Sequence, residues 1–113
     1  MELTKDMVAA SATPLILSIL NQGDSYGYDI IQKVKLISND QLKWADGMLY
    51  PIMHRLEKKS LVEAYWGQSE TGRKRKYYRI LKKGQQELNV LLGQWQALND
   101  ILQNIDGGSK CST

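Results

Sequence analysis

Between residues 6 and 20 the apolar positions Ala12, Leu15, Ile16, Ile19 and Leu20 fall three and four apart, the spacing of a helix with one buried face. Pro14 interrupts this run, which predicts either a kink or a restart of the helix there. Asn21-Gln22-Gly23-Asp24 ends it. Asp24 and Ser25 both suit the cap of a second helix, running to about Ile37 and burying Ile30, Ile31 and Val34. Polar Ser38-Asn39-Asp40-Gln41 reads as a loop, and Leu42 to Trp44 as a short extended piece. A third helix is predicted from about Asp46 to Ser60. Leu49, Ile52, Met53 and Leu56 stand at i, i+3, i+4 and i+7 and make a narrow apolar stripe, with Tyr50, His54, Arg55 and Lys58 opposite.

The period then changes. Leu61 to Trp66 alternates as a strand, Trp66 to Gly72 closes in a polar turn bounded by glycine, and Lys76 to Leu81 is the expected partner strand. From Lys82 to Ile105 the pattern is helical again. Leu88, Leu91, Trp95, Leu98, Leu102 and Ile105 alternate three and four apart as a heptad seam. Val90, Leu92 and Ile101 widen that seam beyond the needs of a lone surface helix. Gly107-Gly108 stops the helix. Three helices, a hairpin and a long helix describe a mainly α (α+β) chain, a winged helix-turn-helix with a long C-terminal dimerisation helix. The expected division is a winged helix over residues 1–81, a dimerisation helix over 82–106 and a disordered tail over 107–113.

Charge sharpens this picture. Arg73-Lys74-Arg75-Lys76-Tyr77-Tyr78-Arg79-Ile80-Leu81-Lys82-Lys83 holds seven cations in eleven positions and no acid. From Arg55 to Lys83, ten basic residues face three acidic ones, a balance of +7. The rest of the chain has five basic and nine acidic residues, a balance of −4. A run of like charge repels itself, persists on a solvated surface and suits a polyanion such as nucleic acid. A chain of 113 residues is one domain with a small core, a size at which dimerisation often adds stability. The single cysteine, Cys111, leaves no internal disulfide and points to a reducing compartment. The N-terminus has no secretory pattern and the apolar stretches are too short to span a bilayer, so the expected location is cytoplasmic. One histidine and one cysteine make no standard zinc site. No nucleophile motif or phosphate loop occurs, so neither an enzyme nor a cofactor is expected.

In this order and spacing, four stretches resemble the PadR family of bacterial transcriptional regulators, in particular its short members with a single C-terminal helix. They are Leu15-Ile16-Leu17-Ser18-Ile19-Leu20, Tyr26-Gly27-Tyr28-Asp29-Ile30, Leu49-Tyr50-Pro51-Ile52-Met53-His54-Arg55-Leu56-Glu57-Lys58, and Gly72-Arg73-Lys74-Arg75-Lys76-Tyr77-Tyr78-Arg79, followed by Gly84 after the wing. Trp95 is similar to the tryptophan of the multidrug-sensing branch. The resemblance implies a homodimer, binding to an operator in double-stranded DNA, and repression relieved by a small molecule. Two positions depart from the pattern. Ala45 stands where the family caps its third helix with Ser or Asn, and Asn99 where drug-sensing members carry an acid.

Candidate DNA contacts are therefore Tyr26, Tyr50, His54, Arg55, Arg73, Lys74, Arg75 and Lys76. In a strand, alternate cations of the basic run face opposite ways, so one pair meets the duplex and the other does not; the sequence leaves open which. Each tyrosine also has an ordinary role. Tyr50 can bridge to the second helix and Tyr26 can pack locally, with Gly27 permitting a close approach of backbone. Trp95 is either packed core or, with its dimer mate, the wall of a flat pocket for a planar apolar effector. Met7, Ala10, Leu92 and Asn99 would complete that lining. Two other readings remain: a protein-interaction module without specific DNA binding, and a ligand-sequestering protein.

Overall fold

The computed structural model describes residues 2–105. Helix α1 spans Lys5–Gln22, strand β1 Ser25–Tyr26, helix α2 Gly27–Ile37, helix α3 Asp46–Lys58, strands β2 and β3 Val62–Gln68 and Lys74–Ile80, and helix α4 Lys82–Ile105. The winged helix-turn-helix expected from the periodicity is present. The expected tail and its Cys111 lie outside the described residues.

Helix α1 starts where the Thr4 side chain accepts the Met7 N–H at 3.2 Å. It runs unbroken through Pro14, which is buried. Proline removes the bond to the carbonyl four residues back. That carbonyl belongs to Ala10, an exposed residue, so water can serve it. Buried Ala12, Ile16, Leu17, Ile19 and Leu20 face Ile30 and Val34 of α2 and Leu49, Ile52, Met53 and Leu56 of α3 in one core. Leu42 and Trp44 are buried in the same core, but the segment pairs with no strand.

The second helix differs from expectation at its start. Ser25 is part of a strand rather than a cap, and α2 begins at Gly27 with Tyr26 at the N-cap position and no side-chain cap bond. Ser25 and Tyr26 pair with Tyr78 and Tyr77 of β3, giving a three-stranded antiparallel sheet in the order β1-β3-β2. The pairing gives Ser25 and Tyr26 a strand partner but leaves the first N–H groups of α2 without a side-chain cap. The fully buried Ser25 hydroxyl accepts from Lys33 Nζ at 3.1 Å.

Helix α3 has no side-chain cap at Ala45, and Asp46 supplies a carboxylate in the first turn. Its C-terminus is a Schellman turn: Leu61 N–H donates to Leu56 O and Ser60 N–H to Glu57 O, both at 3.0 Å, with Ser60 at φ 61°. Helix α4 is seated at its base by Gly84 and Leu88, its only fully buried residues. Leu81 N–H donates to Leu61 O at 2.9 Å, which locks the start of α4 to the start of the hairpin.

Candidate nucleic-acid interface

The candidate residues lie on two exposed elements, α3 and the β2–β3 wing, of which the wing is strongly basic. On α3, burial of Leu49, Ile52, Met53 and Leu56 turns Tyr50, His54, Arg55 and Lys58 outward, as the stripe predicted. Tyr50 is 44% exposed and leans on α2. A Cβ on Gly27 would overlap the Tyr50 hydroxyl and would stand 2.7 Å from its Cζ, so glycine there makes room for the ring. The ring therefore bridges α3 to the start of α2 and still shows its other side to solvent.

The wing register sorts its cations. Val62↔Ile80, Ala64↔Tyr78, Trp66↔Lys76 and Gln68↔Lys74 are opposite pairs, as are Glu63↔Arg79, Tyr65↔Tyr77 and Gly67↔Arg75. Opposite residues share a face, so the first set is one side of the sheet and the second set is the other. Val62 and Tyr78 are in the core, which makes the first set the inner face. The Tyr78 phenol has its pKa pushed up to about 12, first by burial and then by Glu57 and Tyr50.

The outer face is a packed layer. The Tyr26 and Tyr77 rings meet edge to face at 5.4 Å, and Tyr65 stacks on Tyr77 at 5.7 Å. Arg75 Cζ lies 4.5 Å from the Tyr26 ring centre, and Arg79 Cζ 4.5 Å from that of Tyr65. Arg79 Nη1 donates to Glu63 Oε2 at 2.8 Å and its Nε is 3.6 Å from Asp24 Oδ2, which also accepts from the Tyr65 hydroxyl at 2.5 Å. The bond to Glu63, reinforced by the Asp24 charge, pushes the Arg79 pKa upward. The bond to Asp24 likewise raises the Tyr65 phenol. On the outer face Arg79 is thus held by a ring and two carboxylates, whereas Arg75 lies over the Tyr26 ring. Lys74 and Lys76 sit on the inner face, with Lys76 Nζ 5.7 Å from the Tyr78 ring. Arg73 is exposed just before β3, where the turn is closed by Ser69 N–H donating to Arg73 O at 2.9 Å and by Gly72 at φ 82°.

Of the residues singled out in the sequence, Tyr50, His54, Arg55, Arg73, Lys74 and Lys76 are exposed. Tyr26 and Arg75 are half-buried against each other, the guanidinium lying flat over the ring with its Nε without a hydrogen-bond partner among the described residues. The sequence does not reveal this clamp, because it depends on β1 crossing to β3 over a separation of some fifty residues.

A second feature lies between α1 and α4. An apolar cavity of about 250 Å³ is lined by Leu3, Met7, Ser11, Pro14, Leu15, Ser18, Leu92 and Trp95. It brings together Met7, Leu92 and Trp95 from the expected lining and adds Leu3, Pro14 and Leu15. Ala10 and Asn99 are exposed outside it. Among the described residues there is no acidic or histidine cluster suited to a metal, and no helix long and apolar enough to cross a membrane.

A helical core carrying a basic two-stranded wing beside an exposed polar helix is the architecture of a winged-helix regulator. The chain matches the transcriptional regulator PadR-like family over residues 16–90, and it belongs to that family. An uncharacterised protein of Lysinibacillus sphaericus is 35% identical over 97 residues, covering 86% of this chain and 89% of that protein. A transcriptional regulator from Clostridium thermocellum superposes with a TM-score of 0.81 at 28% identity, covering 90% of this chain and 96% of the other. A PadR-like transcriptional regulator from Bacillus cereus superposes with a TM-score of 0.79 at 29% identity, covering 89% and 96%. The protein is accordingly a DNA-binding transcriptional regulator in fold and family.

Proposed function

We propose that the protein is a homodimeric repressor that holds operator DNA with α3 and the wing and is released by a small apolar or aromatic ligand. The observation that carries this reading is the unfinished surface of α4. Val90, Leu92, Leu98, Ile101, Leu102 and Ile105 are between 48% and 75% exposed along one helix. A helix of 24 residues is about 36 Å long at 1.5 Å per residue, and beyond Trp95 every one of its residues is exposed. A second copy laid along α4 and α1 would bury that seam, close the cavity beside Trp95 and present two copies of α3. Two recognition helices must be about one helical turn of DNA apart to read successive major grooves. A ligand that favours a dimer with another spacing shifts the population away from DNA. Within each copy, Tyr50, His54 and Arg55 would meet the groove, and Arg73, Lys74 and Lys76 the phosphates. A protein of this kind works in the cytoplasm.

Three measurements test the proposal. Light scattering at micromolar concentration should return twice the chain mass, and a gel shift should pick out promoter fragments over random ones. A monomer with no fragment preference refutes it and favours the protein-interaction reading. For the ligand, Trp95→Ala should abolish fluorescence quenching by planar apolar compounds while the dimer persists. Equal quenching in the variant would place the ligand elsewhere.

A further inference from the structure

The wing carries a large aromatic residue that neither the core nor the tyrosine layer uses. Trp66 is 67% exposed, whereas the other tryptophans are engaged: Trp44 is buried, and Trp95 lines the cavity. An exposed indole on a short hairpin leaves a sizeable apolar face in water with no intramolecular return. Its setting is specific. Trp66 lies directly across the ladder from Lys76, and Gln68 lies across from Lys74, all four on the inner face. Burial along β2 on that face falls from Val62 through Ala64 to Trp66, and the indole stands next to Lys74 and Lys76, which form no ion pair with a carboxylate among the described residues.

From this juxtaposition we infer that Trp66 is a DNA-contacting residue, its flat face laid on the sugar edges that wall the groove while Lys74 and Lys76 meet the flanking phosphates. The inference rests on the reading of the wing as a DNA-binding element and names which face of it is used. An apolar protein partner would have to strip water from two ammonium groups to cover the indole. A duplex accepts all three at once, because its sugars are apolar and its phosphates anionic. The outer face offers no comparable exposed indole; its arginines both lie over tyrosine rings, and Arg79 is also paired with Glu63. Trp66 would contribute through contact area and Lys74 and Lys76 through counterion release, and these two contributions separate experimentally.

The test uses the full-length protein, a mixed-sequence duplex of about four helical turns and heparin as a polyanion without grooves. Covering one face of an indole removes enough apolar area from water to be worth roughly a factor of ten in affinity. Trp66→Ala is therefore expected to weaken duplex binding about tenfold with an unchanged salt slope. Trp66→Phe should recover most of that loss, and neither variant should differ from wild type on heparin. The acrylamide quenching that distinguishes wild type from Trp66→Phe should be suppressed by saturating duplex. The inference is overturned if wild type binds the duplex and Trp66→Ala binds it equally well. It is also overturned if Trp66→Ala loses duplex and heparin alike, or if the indole stays open to acrylamide in the complex. Failure of the wild-type protein to bind any duplex would instead bring down the DNA-binding reading together with this one.

Discussion

Replacing Gly84 by alanine tests how α4 is anchored, and with it the spacing of any dimer built on that helix. A Cβ at this position would stand 2.8 Å from Ile80 Cγ1 and 3.0 Å from the Leu61 carbonyl carbon, and would overlap the Leu61 oxygen. That oxygen cannot retreat freely, because it accepts the Leu81 N–H at 2.9 Å. The added methyl group must push α4 away from the hairpin. Overpacking of this kind costs about 1–3 kcal/mol. It is opposed by a helix-propensity gain of about 1 kcal/mol for alanine over glycine. With backbone rather than a side-chain tip in the way, the upper end of the steric range applies, and a net loss of about 2 kcal/mol results. That corresponds to a fall in Tm of about 10 °C for a domain of this size. The assay is urea unfolding followed by circular dichroism at one fixed protein concentration, since association would otherwise shift the midpoint. Gly47→Ala is the control: nothing lies within 4 Å of a Cβ there, and stability should rise by up to about 0.5 kcal/mol. If Gly84→Ala unfolds at the same or higher urea as wild type with the same m-value, the seating of α4 described above is wrong.

Three further outcomes follow from the wing and its neighbours. Lys74→Gln with Lys76→Gln should lower the salt slope of duplex binding by about two, whereas Arg75→Met, which keeps the packing on Tyr26, should leave the slope unchanged; the reverse ranking in a salt titration would exchange the roles of the two faces. The Tyr78 phenol ionises near pH 10 when unfolded and at about 12 when folded, so the folded state disfavours the phenolate and stability drops as pH rises from 10 toward 12, by up to about 2 kcal/mol; Tyr78→Phe should remove that share of the alkaline loss, and parallel alkaline curves for the two proteins would contradict the burial. Ser60 holds a left-handed conformation at φ 61° that glycine adopts without strain, so Ser60→Gly should raise stability by up to about 1 kcal/mol in thermal melts, and a lowered Tm would show that the serine side chain has a stabilising role.

The amphipathic stripes were sufficient to read α1, α3 and α4 from the chain, because burial of one helical face leaves a local period that needs no knowledge of neighbours. For the same reason the exposed set on α3 could be named, and the seven cations of the basic run marked the wing. Pro14 misleads on local rules alone, since the cost of a lost hydrogen bond depends on whether the freed carbonyl faces water. Ser25 misleads too: its preference for capping is a local property, while its place in β1 is set by Tyr78, far along the chain. Alternation showed that the wing cations must divide between two faces. How they divide required the register of β2 against β3 and the position of Tyr26, because Arg75 is stacked on a ring of β1 and Arg79 is held by carboxylates of other segments. Periodicity is written in neighbouring residues and survives in the one-dimensional string. The clamp on Arg75, the solvent left to Trp66 and the seat of Gly84 are distances between segments remote in sequence, and these exist only once the chain has closed on itself.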